Sequence, residues 1–279
     1  MVATPRPDLK QLGRFRIEAL LGRGAMGAVY RGVDTADGRS VALKTLALAQ
    51  EFGGAALVEA RERFAREAQT AARLQHRDIV SVLEAGEDQG VAYIAMEYVA
   101  GHDLQGHTLA GRLLAVPALL GIVARVADAL DHAHRQGVVH RDIKPANVLI
   151  NLDTDVVKVA DFGIARVSDA TRTRTGMLLG TPSYMAPEQI AGGRIDGRSD
   201  IYSVGVMLFQ LLSGALPHAS DSMARLMHAI ANEPAADVRS LRPELPEALA
   251  RIVAQALAKR PEIRQSDAAQ LAAELRGIN

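Results

Sequence analysis

The stretch 140–161, HRDIKPANVLINLDTDVVKVAD, constrains this chain more than any other. It places Asp142, Lys144, Asn147 and Asp161 within one short segment. Asn147 follows Asp142 by five residues, and VVKVAD reads as a short strand that delivers Asp161 at its end. A carboxylate to receive a hydroxyl proton, a cation for a moving phosphate, and an amide with a second carboxylate for Mg²⁺ are the groups that phosphoryl transfer uses.

Upstream, FRIEALLGRGAMGAVYRGV carries Gly22, Gly24 and Gly27 in the GxGxxG spacing, with Val29 next but one. That spacing also marks a dinucleotide-binding turn, in which the third glycine opens a helix. Here AVYRGV alternates, Asp37-Gly38 offers a turn, and SVALKTL alternates again, so the glycines join antiparallel strands. Such a flap lets backbone amides approach phosphates. Lys44 falls on the strand that follows. Residues 55–74 have a helical pattern whose charges, such as Glu62 with Arg66, read mostly as a solvated face, although Glu62 and Glu59 remain lesser candidates for a partner of Lys44. Glu67 differs, because Phe64, Ala68 and Ala71 put it toward the apolar side.

IVSVLEAGEDQGVAYIAMEYVAGHDL reads as two strands around a polar turn and then a connector, with a lobe boundary near residues 98–102, where Gly101 relaxes the chain. Two helices, ending in ALDHAHRQG, are expected before the 140–161 stretch. His132 and His134 stand two apart on a helix and face different directions, so both read as surface histidines rather than metal ligands. The apolar stretches 113–124 and 201–212 fall short of the roughly 20 residues that a bilayer requires and read as buried helices.

HRDIKPAN followed by Asp161, Phe162 and Gly163 resembles the catalytic core of a protein kinase, and the Lys144-Pro145 form is similar to the serine/threonine type. The likeness runs from about Leu12 to about Gly277, and DFGIAR, MAPEQ and the alanine-rich, tryptophan-free composition look most like bacterial eukaryotic-like (Hanks-type) serine/threonine kinases. It implies an α+β fold of two lobes: a flexible lead-in (1–12), a nucleotide-binding lobe of antiparallel sheet plus one helix (13–98), and a mainly helical lobe (99–279). It implies ATP as phosphate donor, with Mg²⁺, or Mn²⁺ in its place, held by Asn147 and Asp161. Asp142 would be the proton acceptor, Lys144 the cation at the γ-phosphate, and Lys44, oriented by Glu67, the holder of the α and β phosphates. Leu21, Gly22, Arg23, Gly24, Ala25, Met26, Gly27, Val29, Ala42 and Leu149 would surround the nucleotide. Met96 would stand behind the adenine, with the backbone of Glu97 and Val99 bonding the base.

The same resemblance makes the polar, threonine-dense segment between DFG and Ala186-Pro187-Glu188 an activation loop. Thr173 and Thr175 would be its phosphorylation sites and Arg141 the phosphate's dock. Thr181 would brace Asp142 and Lys144, Glu188 would pair with Arg264, Asp200 would anchor the catalytic loop's backbone, and His140 would pack on Phe162. Two departures are visible: Tyr202 stands for a tryptophan common in the central helix, and Leu216-Pro217-His218 stands where the family often has Pro-Phe.

Composition excludes other classes. Lys+Arg 32 balance Asp+Glu 32, which gives no basic surface for nucleic acid, and the absence of cysteine removes disulfides and thiolate metal sites and suits a cytoplasmic protein. No membrane segment is expected in this chain. The expected activity is ATP-dependent phosphorylation of Ser/Thr hydroxyls on protein substrates, with a homodimer as the arrangement for autophosphorylation in trans. A catalytically silent scaffold would lack Lys44, Asp142 or Asp161, and a small-molecule kinase would not need the threonine-rich loop before APE.

Overall fold

The computed structural model describes residues 9–24, 27–162 and 182–278. They divide into two compact units. The first holds the described residues up to His76 together with Val80–Ala100, and the second holds Arg77–Ile79, Gly101–Phe162 and the described residues from Pro182 onward.

In the first unit, β1 (Gln11–Leu12), β2 (Phe15–Gly24), β3 (Gly27–Asp34) and β4 (Ser40–Leu46) are followed by a helical turn, α1 (Leu48–Glu51), and by α2 (Gly54–Ala72). Then come β5 (Val82–Asp88) and β6 (Val91–Glu97), and all six strands form one antiparallel sheet in the order β1-β2-β3-β4-β6-β5. The alternation in SVALKTL decides the faces: Val41 and Leu43 are fully buried, while Ala42 and Lys44 share the opposite, half-buried face. Leu12, Phe15, Val41, Leu43, Tyr93 and Ala95 make the core beneath the sheet. The β5–β6 turn is Gln89-Gly90, both with positive φ (51° and 74°), as a two-residue hairpin of right-handed twist requires. On α2 the buried residues are Ala60, Phe64, Ala68 and Ala71, a stripe at the helical period, and Glu67 lies half-buried beside it.

The lead-in expected over 1–12 is too long. Gln11 and Leu12 pair with Arg16 and Phe15, and Leu12 is fully buried, because its side chain supplies one edge of the sheet's core.

In the second unit, β7 (His102–Asp103), β8 (Val148–Asn151) and β9 (Val156–Val159) form a small antiparallel sheet. Its helices are α3 (Val116–Arg135), α4 (Pro187–Ile190), α5 (Gly197–Ser213), α6 (Met223–Asn232), α7 (Glu247–Ala256) and α8 (Ala268–Arg276). Only α3 runs through the segment where two helices were expected before the catalytic stretch. The other is a single 3₁₀ turn, Leu104–His107, since Gly106 and Gly111 with Thr108 leave no apolar period to extend it. Pro117 sits in the first turn of α3, where its missing N–H costs nothing. Helix α5 is the hub: every residue from Ser199 to Phe209 is buried. Asp196 caps its start through the amide of Arg198, and Gly214 ends it in the left-handed conformation (φ 78°). Among the described residues no helix is long and apolar enough to cross a membrane.

Arg264 ties α4 to this hub. All five of its N–H groups are used: one each from Nη1 and Nη2 meets Glu188 end on (2.7 and 2.9 Å), and the rest reach the carbonyls of Arg198, Ala258 and Lys259. Burial would raise the Glu188 carboxyl, but Arg264 and the Ser199 hydroxyl outweigh it and hold its pKa below the ordinary 4.5. The pair therefore contributes stability above that pH, and the contribution is lost as pH falls through the folded pKa. Arg264→Met should cost about 3–5 kcal/mol in urea unfolding at pH 7, by stranding a buried charge. The penalty should shrink in the same measurement at about pH 4, where Glu188 can protonate.

Candidate active site

The turn from His140 to Asn147 is built around two carboxylates. Asp200, on the first turn of α5 and fully buried, accepts from the backbone amides of His140 (2.8 Å) and Arg141 (2.8 Å) and from Nε2 of His134 (2.7 Å). Burial would raise its pKa. The hydrogen bond and charge of His134, with further help from His140 and the Arg141 amide, outweigh burial and hold it below the ordinary 3.8. Arg141 is forced into the left-handed region (φ 70°), a strained conformation for a non-glycine residue, and Asp161 is another (φ 68°).

His140 is fully buried. Its Nε2 donates to the carbonyl of Ala160 (2.8 Å) and its Nδ1 accepts from the amide of Asp142 (3.2 Å), so the imidazole fastens the turn to the end of the segment that carries Asp161. Its ring packs edge-on against Phe162, with centroids 4.6 Å apart. Asp142 is the second carboxylate. Lys144 Nζ donates to its Oδ2 (2.7 Å), and Nδ2 of buried Asn147 donates both to that oxygen (3.2 Å) and to the Asp142 carbonyl (2.8 Å). Asp142 remains partly open to solvent, its side chain 43% exposed.

The donor set suits Mg²⁺. Committing Nδ2 of Asn147 to Asp142 leaves its carbonyl oxygen as the end that could ligate, and Asp161 could add a carboxylate. Mg²⁺ takes oxygen ligands and is ordinarily held by one or two carboxylates, with phosphate and water completing the shell. Among the described residues no three His, Cys, Asp or Glu converge as a closed protein cage would require.

In the first unit, Lys44 lies on β4 opposite Val29 and Ile94, and Ala42 opposite Arg31 and Met96. Leu21, Gly22 and Arg23 lie on β2, and Gly24 pairs with Gly27 on β3. A side chain at Gly27 would meet the carbonyl oxygen of Thr45 at 1.8 Å, so only glycine fits. The Glu97 carboxylate accepts from the amide of Ser81 (2.8 Å), and Val99 follows β6 half-buried. Leu149 belongs to β8 in the second unit, opposite Asp103 and Lys158. Ala25, Met26, Thr173, Thr175 and Thr181 lie outside the described residues.

His134 is not a surface histidine. Its bond to Asp200 makes it part of the site's support, and its ring lies so close to Gly197 that a side chain there would meet Nδ1 at 2.5 Å. The helical period carried the signal: His134 continues the stripe Val123, Ala127, Leu130, all fully buried. Gln189 also went unseen, although its amide donates to the carbonyl of Arg141 (3.0 Å).

An aspartate bonded by a lysine and an asparagine, on a turn anchored from a buried central helix, is the arrangement expected of a protein kinase. The chain belongs to that family: the protein kinase domain model matches residues 15–275. It is 40% identical over 280 residues to serine/threonine-protein kinase pkn3 of Myxococcus xanthus, covering 95% of this chain and 50% of that protein, so it spans about half that relative's length. Among solved structures it is similar to the Mycobacterium tuberculosis PknI kinase domain (33% identity, TM-score 0.75, 95% of this chain and 96% of that one). It is also similar to Rad53 in complex with AMP-PNP (26% identity, TM-score 0.77, 93% and 64%).

Asp200→Asn keeps the shape but replaces one acceptor oxygen with a donor that faces other donors. It should destabilise the protein by about 2–3 kcal/mol and speed amide exchange at His140 and Arg141. Hydrogen-exchange mass spectrometry with urea unfolding checks both, and unchanged protection at these two amides would remove Asp200 as the anchor.

Proposed function

We propose that the chain is a protein serine/threonine kinase that transfers the γ-phosphate of ATP to Ser and Thr hydroxyls of protein substrates. The single observation that carries this reading is the Lys144–Asp142–Asn147 cluster. Asp142 offers a solvent-reachable carboxylate whose Oδ2 is held by Lys144 at 2.7 Å, so its orientation is set before a substrate arrives. Its Oδ1 can take the hydroxyl proton while Lys144 neutralises charge on the phosphate. Asn147 and Asp161 would hold Mg²⁺, which would supply positive charge to neutralise the phosphates. Lys44 would hold the α and β phosphates, with Glu67 fixing its position, and the glycine-bearing β2–β3 hairpin would cover them with backbone amides. Because the transition state is loose, positioning and electrostatics supply most of the acceleration, not base strength.

Thr173 and Thr175 would be phosphorylated by a second copy of the chain. The modified loop would dock on Arg141, whose Nε is buried and has no hydrogen-bond partner among the described residues. A cysteine-free, ATP-consuming domain of this kind fits the cytoplasm.

Asp142→Asn should lower turnover by about 10² to 10⁴ fold without loss of fold, measured by radiolabelled phosphate transfer to a protein acceptor. Wild-type turnover in that variant would refute the assignment. Incubation with MgATP should place phosphate on Thr173 or Thr175 by mass spectrometry, and Lys44→Met should abolish it. Undiminished activity after both threonines are changed to alanine would count against loop control.

A further inference from the structure

His102 and His107 face each other across the 3₁₀ turn that follows β7, and the catalytic reading uses neither. Their Nε2 atoms are 3.2 Å apart, with ring centroids at 5.4 Å and planes inclined by 40°. Nδ1 of His107 lies 2.9 Å from the carbonyl oxygen of Arg112. A carbonyl can only accept, so Nδ1 carries the proton, and Nε2 of the neutral ring presents its lone pair toward His102. The turn that sets this spacing is itself fixed, because Asp103 caps it through the amide of Gln105 (3.0 Å). Both rings reach solvent.

Two imidazole nitrogens 3.2 Å apart, each about 2.0–2.1 Å from one ion, subtend roughly 100° at it, between the square-planar and tetrahedral angles. The Arg112 carbonyl is the outer partner that metal-bound imidazoles characteristically use to fix tautomer and ring orientation. We propose that His102 and His107 form a surface site for a borderline transition-metal dication, Zn²⁺ in the first instance, bound through both Nε2 atoms with water completing the shell. Metal-free, Nε2–H of His102 donates to Nε2 of His107; when the ion binds, that proton leaves Nε2 through solvent and His102 takes up its N–H on Nδ1.

The site is chemically separate from Asn147 and Asp161, whose donors are all oxygen, so Mg²⁺ has no affinity for it and Zn²⁺ prefers it. With two protein ligands it is open and exchangeable, a site that follows the free ion rather than a structural zinc. It staples β7, which pairs through Asp103 and His102 with Leu149 and Ile150 of β8, to a 3₁₀ turn packed against the Pro145–Asn147 turn. Occupancy therefore stiffens the strand that leads out of the Asn147 turn. The inference stands whether or not the chain phosphorylates anything.

Titrating the 279-residue chain with ZnCl₂ in excess MgCl₂ by calorimetry tests it. One Zn²⁺ per chain is expected, with affinity weakened about tenfold or more in His102→Gln and in His107→Gln, while His132→Gln binds as wild type. Imidazole ¹⁵N spectra of the wild-type chain give a readout that needs no variant to fold: Nε2 of His102 and of His107 should shift together during the titration. Absence of Zn²⁺ binding, binding undiminished in the double variant, or shifts confined to other histidines would each overturn the proposal.

Discussion

One buried carboxylate sets the geometry of everything the site does. Asp200 collects two consecutive backbone amides and an imidazole, and consecutive amides can converge on one acceptor only if the backbone between them bends sharply. The chain then continues through Arg141 in the left-handed conformation, which costs on the order of 1–3 kcal/mol for a side chain with a Cβ. Charge-assisted bonds to an ionised acceptor, each about 1.5–3 kcal/mol, offset that strain. The rigidity of α5, capped at both ends and buried along its length, fixes the carboxylate in turn.

The two aspartates of the site are chemically identical, and environment separates their work. Asp200 has donors on both oxygens and no exposure, so it can hold a backbone but never reach a substrate. Asp142 has its bonds from Lys144 and Asn147 on Oδ2 and keeps substantial exposure, so its carboxylate stays within reach of solvent. Asn147 fixes its own side chain against Asp142: the two Nδ2 bonds set where its carbonyl oxygen points.

The legible part of this arrangement was the local part. Asp142, Lys144 and Asn147 stand within six residues, so their spacing alone forces proximity, and the strand alternation of SVALKTL was enough to give Lys44 its face. His134 and Gln189 were not legible as supports, because their partners lie 66 and 48 residues away and no local pattern names them. Even so, the period of α3 marked His134 as inward; reading it only against His132 discarded that signal. The 3₁₀ turn at Leu104–His107 escaped for the opposite reason: four residues are too few to carry a period.

The two departures from the family pattern, Tyr202 and His218, are one change in physical terms, and Lys259 joins them. Its ammonium donates to Nε2 of His218 (3.0 Å) and to the carbonyls of Ile230 (2.8 Å) and Ala229 (3.5 Å) at the end of α6, using all three N–H groups. Such a bond requires a neutral imidazole, and burial, reinforced by the charge of Lys259, brings His218 down to about 4. Burial and the charge of Arg264 lower Lys259 to about 8, which leaves it largely protonated at neutral pH. Tyr202 presents its ring to both cations, 5.9 Å from Lys259 and 5.0 Å from Arg264, so the face of an aromatic ring is retained although the indole is not. A phenylalanine at 218 would leave the half-buried ammonium one acceptor short. The histidine supplies it, and a half-buried lysine can then cap α6 beside the Glu188–Arg264 pair that holds α4 to the hub.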